Sequence, residues 1–203
     1  MKTALNQGRR ARKSQQLADR VAAVGFGLFE QHGYEAVTME HIAAAADIAK
    51  GTLYKYFPVK DALLAHQFQR DITSGLGALW QVLERQHSFA AQLKSLLHAS
   101  AKWNAARRRY LPHYVRHQFS AASFTCLDDA RRRRSGEGQL FERLCRAGQE
   151  RGDVRSDLPA AQLAGMLECL YLSAILIWMG LPSGNLKQEF DALLALALNG
   201  VGP

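Results

Sequence analysis

Residues Thr38 to Lys60, TMEHIAAAADIAKGTLYKYFPVK, constrain the fold of this 203-residue chain more than any other stretch. They read as two short helices joined by a tight turn. Thr38 is a good N-cap, and Met39, Ile42 and Ala43 make the apolar side of a first helix. The small residues Ala43 to Ala46 let a second helix cross closely. Asp47 tolerates the unusual backbone of a turn, and Ile48 is expected to drop into the core. The second helix is expected from about Ala49 to Tyr56, burying Leu53 and Phe57. Its outer faces and front end then carry Lys50, Gly51, Thr52, Tyr54, Lys55 and Tyr56. Such a helix offers donors, charge and two phenols to a phosphate-lined groove. The pattern is a helix-turn-helix, with the second helix as the expected reader.

The flanks support it. Leu17, Val21, Val24 and Leu28 fall at helical spacing, with Phe29 beside them, and predict a helix over about 15–32. Gly33 fits the residue after its end and Tyr34 the next. Val37 before Thr38 is placed as a hydrophobic staple. Pro58 interrupts the pattern, and Lys60 and Asp61 open a long helix over about 60–86. Its first amides, with Lys60 beside them, are expected to meet a phosphate. Residues 1–14 carry Arg9, Arg10, Arg12 and Lys13. They read either as a soluble tail or as a basic arm that follows phosphates or enters the minor groove.

Residues 15–64 resemble the DNA-binding domain of the TetR family of bacterial transcription regulators. The resemblance rests on Phe29, Gly33, Tyr34, Thr38, Ile42, Ala43, Gly51, Leu53, Tyr54, Tyr56, Phe57, Lys60, Leu63 and Leu64. The run Gly-Thr-Leu-Tyr-Lys-Tyr-Phe followed by Lys60 and Asp61 is its most diagnostic part. The family usually has Gly where Asp47 stands, and often Ser or Thr where Ala49 stands; Ala49 has no side chain with which to cap. Beyond residue 64 the chain is similar to the family in layout alone. The resemblance implies a homodimer on a palindromic double-stranded DNA operator, a second domain that binds a small effector and then leaves DNA, and dimerisation through the last two helices. The expected DNA-binding residues are Thr38, Lys50, Gly51, Thr52, Tyr54, Lys55, Tyr56 and Lys60. Lys50 and Gly51 are placed for base edges, and Thr38 and Lys60 for phosphates.

Charge points the same way. The chain carries a net +8, which favours a polyanionic partner. Half of that excess lies in residues 1–60, with nine Lys/Arg against five Asp/Glu.

No segment alternates as a strand, so the expected fold is all-α with about nine helices. The expected organisation is a basic flexible arm at 1–14, a helix-turn-helix domain at 15–60, and a helical effector-binding and dimerisation domain at 61–203. Aromatic residues Trp80, Trp103, Tyr114, Phe119, Phe124, Tyr171 and Trp178 read either as core or as the lining of an apolar ligand cavity. Residues 159–180 are apolar nearly all round and call for cover on every side. With 186–199 they suggest a four-helix interface across a two-fold axis. Its expected contacts are Leu163, Leu170, Ile177, Phe190, Leu194, Ala197 and Leu198.

Other classes find little support. Residues 163–181 are long enough to span a bilayer, but an amphipathic helix follows and no strong basic flank does, so a buried helix is expected instead. Cys126, Cys145 and Cys169 are odd in number and widely spaced, without CxxC, as expected of a reduced cytoplasmic protein. The first twenty residues hold no apolar run resembling a signal peptide. His113 and His117 are four apart but lack a Glu at the second position and a third ligand, so no metal or cofactor is expected. No Walker A, GxGxxG or GxSxG sequence occurs, and no enzyme activity is expected. Two alternatives remain: a regulator whose second domain contacts a protein instead of a small ligand, and an enzyme that keeps the helix-turn-helix for targeting.

Overall fold

The computed structural model describes residues 2–121 and 136–199, and every regular element among them is helical. Helix α1 spans Lys2–His32, α2 Met39–Ala45, α3 Lys50–Tyr56 and α4 Lys60–Glu84. Then come α5 at Phe89–Ala106, a 3-10 turn at Arg108–Tyr110, and α6 at Leu111–Ala121. The chain ends with α7 at Gly136–Arg151, α8 at Ala160–Gly180 and α9 at Leu186–Asn199. The all-α expectation holds, with nine α-helices among the described residues.

The helices form two compact units. One holds Met1–Asp71 with His113–Ser123; the other holds Ile72–Pro112 with Phe124–Pro203. The first unit therefore extends past residue 60 to take in the first half of α4 and most of α6. Its core is Val21, Ala22, Phe29, Ile42, Leu53, Leu63, Leu64 and Phe68, all with no exposed surface. Gly25 lets α4 come close to α1: a Cβ there would lie 2.8 Å from a Leu63 methyl. Gly33 ends α1 with φ 84° and donates to the Phe29 carbonyl at 2.9 Å, as its position predicted. At the other end α1 departs from expectation, because residues expected as a flexible arm continue it as helix. Ala, Leu, Gln, Arg and Lys dominate there, and no proline interrupts them.

A polar clamp joins α6 to the start of α4 within this unit. The Tyr34 hydroxyl donates to Asp61 Oδ1. Arg116 donates to Asp61 Oδ2 from Nε at 2.9 Å and from its terminal nitrogen at 2.8 Å. The His113 ring stacks on Tyr34 at 3.8 Å, and its Nδ1 lies 3.1 Å from the Arg116 guanidinium. Burial by itself would raise the Asp61 carboxyl, but the hydrogen bonds from Tyr34 and Arg116 and the Arg116 charge hold it below the usual carboxylate range. Burial also holds the His113 imidazole below its ordinary range, with Asp61 pulling the other way. A neutral His113 can accept from Arg116 at Nδ1.

The second unit packs α5, α7, α8 and α9 around Leu93, Leu97, Phe141, Leu144 and Phe190. The buried side chains of Gln92 and Asn104 are satisfied. Gln92 donates to the Leu83 carbonyl at 3.1 Å and accepts from Arg151 at 2.9 Å. Asn104 donates to the Tyr171 hydroxyl at 3.0 Å. Helix α8 is long and apolar enough to cross a membrane by length and composition. Within the unit it instead buries Ala164, Leu167, Tyr171, Ile175 and Trp178. Cover on all sides was expected, yet Met166, Leu176 and Ile177 lie on an exposed flank.

The clamp predicts acid sensitivity. A carboxyl held low in the fold stabilises it above the ordinary carboxylate range, and that contribution is lost as pH falls through the folded pKa. His113, held neutral, changes stability in the same direction. Thermal melts should show stability falling steeply below about pH 4, with a shallower acid limb in Asp61→Asn. Parallel acid limbs would remove Asp61 as the source.

Candidate nucleic-acid interface

The helix-turn-helix is fixed by its own backbone and by two inward side chains. Thr38 sits in extended backbone, and its Oγ1 accepts from the His41 amide at 3.1 Å, capping α2 as expected. After α2, Asp47 takes φ 52°, the left-handed conformation that usually belongs to glycine. Its amide bonds the Ala44 carbonyl and the Ile48 amide bonds the Ala43 carbonyl, both at 3.1 Å. These two bonds make a Schellman closure with Asp in the glycine position. Ile48 is only half-buried, short of the core position expected for it. Ala49 precedes α3 in extended backbone and makes no side-chain cap. Leu53 and Phe57 anchor α3 inward.

The outer surface of α3 is open. Lys50, Gly51, Tyr54 and Lys55 are exposed, while Thr52 and Tyr56 are half-buried. A Cβ at Gly51 would meet nothing within 4 Å, so the helix front admits close approach of its backbone. The Lys50 ammonium lies 5.8 Å from the Tyr54 ring and is ion-paired with Glu40 of α2. The Tyr56 oxygen accepts from Ser14 of α1 at 3.1 Å, which leaves its own proton available to an acceptor. Lys60, expected on a phosphate, makes contacts within its own unit. Its Nζ donates to the Tyr34 carbonyl at 2.8 Å and lies 4.4 Å over the Tyr34 ring. The chain leaving α1 puts that carbonyl over the start of α4, and the cation is taken up inside its own unit.

Glu40 was not among the expected site residues. An acid in the first turn of a helix is common, because it complements the helix dipole. Nothing in the sequence marked it as the partner of Lys50 across the turn.

Each described residue of the expected ligand pocket has neighbours within its own unit. Arg143 lies 3.6 Å over the Trp80 ring, and Arg107 lies 4.3 Å over Trp103. Tyr114 packs on Phe68 at 5.3 Å, in the N-terminal unit. The Tyr171 hydroxyl is 2.5 Å from Ser100 Oγ. Trp178 donates to the Gly184 carbonyl at 2.9 Å and lines a groove of about 630 Å³ with Ala101, Lys102, Ala105 and Arg108. The Phe119 side chain, Phe124, Cys126 and Arg131 to Arg134 lie outside what is described.

Among the expected dimer residues, Ile177 is 56% and Leu198 45% exposed, while Leu163, Leu170, Leu194 and Ala197 are half-buried. Phe190 corrects the expectation. It is fully buried in its own chain and stacks on Tyr171 at 5.2 Å, because its position on α9 faces α8.

Comparison with known proteins places the helix-turn-helix in a family. Residues 22–66 match the model of the bacterial regulatory proteins of the tetR family. An HTH-type transcriptional regulator of Staphylococcus aureus is 27% identical over 114 residues, covering 49% of this chain and 62% of that protein. The HTH-type transcriptional repressor KstR of Rhodococcus jostii is 44% identical over 52 residues, covering 26% of this chain and 24% of KstR. These matches span less than two thirds of either relative. Two solved structures share the fold over most of both chains. FadR of Thermus thermophilus, a TetR-family transcriptional repressor in complex with lauroyl-CoA, aligns with a TM-score of 0.73 at 23% identity, covering 92% of this chain and 95% of its own. FadR of Bacillus subtilis, in complex with stearoyl-CoA, aligns with a TM-score of 0.65 at 15% identity, covering 90% and 98%. The family model over residues 22–66, which carry the capped α2, the Schellman turn and the open α3, places this helix-turn-helix among the bacterial regulatory proteins of the tetR family.

Proposed function

We propose that this regulator is a repressor that binds a palindromic operator as a homodimer and is released by a small molecule. The observation that carries the DNA-reading part is the outer face of α3. Lys50, Gly51, Tyr54 and Lys55 are exposed together on a helix held from behind by Leu53 and Phe57. Lys50 and Gly51 are the base-reading positions. Tyr54 and Tyr56 orient the helix on phosphates, with Thr38 at the start of α2. Gel-shift titrations on the operator and on random duplex test this. Tyr54→Ala should weaken both alike, because phosphate contacts carry no sequence information. Lys50→Ala should lose about 1–3 kcal/mol more on the operator than on random duplex. Equal losses would remove Lys50 from the reading surface.

One reading helix contacts only a few base pairs, so a two-fold dimer on half-sites about 34–36 Å apart supplies the missing contacts. The exposed apolar residues Met166 and Ile177 of α8 and Leu198 of α9 support an interface between copies there. Ile177→Glu should yield a folded monomer by light scattering, since a buried unpaired charge costs several kcal/mol. A stable Ile177→Glu dimer would put the interface elsewhere.

The effector reading rests on the groove floored by Trp178 and on the acyl-CoA complexes of the two FadR neighbours. Lys102 and Arg108 border that groove and suit an anionic group, while Ala101, Ala105 and Trp178 suit an apolar body. Acyl-CoA thioesters are therefore the first compounds to titrate. A ligand that weakens DNA binding is itself weakened by DNA by the same factor, typically about 5–150-fold. Tryptophan fluorescence titrations with and without operator measure this, and equal affinity in both would exclude that compound as inducer.

A further inference from the structure

Glu40 and Lys50 form an ion pair across the turn, from the first turn of α2 to the first residue of α3. The Lys50 side chain is 59% exposed and that of Glu40 53%, so the pair faces solvent. Exposed pairs of this kind add little to stability. The local packing does not need it either, since the turn is closed by backbone bonds and anchored by Leu53. The hydrogen bond to Lys50 lowers the Glu40 carboxyl, and the same bond raises the Lys50 ammonium. Both groups therefore stay charged at neutral pH.

A carboxylate beside the front of a reading helix repels phosphates and so opposes non-specific binding. It is compatible with DNA where a base edge offers it a donor. In the major groove a G·C pair presents two neighbouring acceptors, guanine N7 and O6, and then the cytosine N4 amino donor. An A·T pair presents an acceptor, the adenine N6 donor, and then an acceptor next to a methyl group. A cation and a carboxylate held side by side match the first order better. The cation takes two adjacent acceptors and the carboxylate takes the donor beside them.

We propose that Glu40 is a second base-reading residue, and that the Glu40–Lys50 pair acts as one unit selecting a G·C pair, with Lys50 on guanine and Glu40 on cytosine N4. The proposal rests on the DNA-reading function given above. Glu40 also discriminates against non-specific duplex, where its charge faces phosphates with no donor to meet.

The test needs no known operator. Full-length wild type, Glu40→Gln and Lys50→Met are each used to select from a pool of random-sequence duplexes. Wild type should enrich half-sites with one G·C position that both variants lose, while the other positions stay. The preference at that position should fall about 5- to 150-fold. Glu40→Gln should also bind random duplex at least as tightly as wild type, which shows that the variant is folded. A Glu40→Gln motif identical to wild type overturns the proposal. So does loss of preference at two different positions, or weaker Glu40→Gln binding to random duplex. If wild type enriches no motif, the DNA-reading function itself fails, a result distinct from the others.

Discussion

A seven-residue helix does not persist in water by itself, because nucleating a helix costs more than so few hydrogen bonds return. The candidate reading helix α3 is that short, and it begins without a side-chain cap. Its existence depends on burying Leu53 and Phe57 against the rest of the N-terminal unit. The unit is built around that need. Helices α1, α2 and α4 supply Val21, Phe29, Ile42, Leu63 and Leu64, all fully buried. Gly25 removes the one methyl that would hold α1 and α4 apart. The turn adds its own constraint: Asp47 accepts left-handed backbone so that two consecutive amides can close on the last carbonyls of α2.

Charge in this protein is used mostly for position. Arg116 holds Asp61, and Lys60 holds the Tyr34 carbonyl, so that the start of the α1–α2 connection and the start of α4 are tied together. In the second unit three arginines lie over tryptophan rings: Arg107 on Trp103, Arg108 on Trp178 and Arg143 on Trp80. Such cation–π contacts let large aromatic side chains lie near the surface without presenting bare faces to water. All three tryptophans are ones that the sequence reads either as core or as the lining of a ligand cavity. Arg109 likewise lies 4.6 Å over the Tyr110 ring.

Helices α4 and α6 each contribute residues to both units. The Tyr34–Asp61–Arg116–His113 clamp is where α6 grips the start of α4, so it bears directly on how α4 supports the reader.

The sequence by itself determined what depends on neighbours a few residues apart. Helical spacing, the Thr38 cap, Gly33 after α1 and Pro58 after α3 are local signals, and they located the first turns and ends of the helix-turn-helix to within a residue or two. The all-helical class followed from the same periodicity. Tertiary structure decided what depends on which faces meet. Whether Phe190 looks outward or onto Tyr171 is set by the approach of α9 to α8, which no spacing on α9 encodes. Lys60 turned inward because the chain leaving α1 puts a carbonyl above it. Glu40 became the partner of Lys50 because the turn folds α2 back beside α3, ten residues away in sequence and adjacent in space. Periodicity names the face of a helix that is buried, but only the fold says what that face, or the opposite one, will touch.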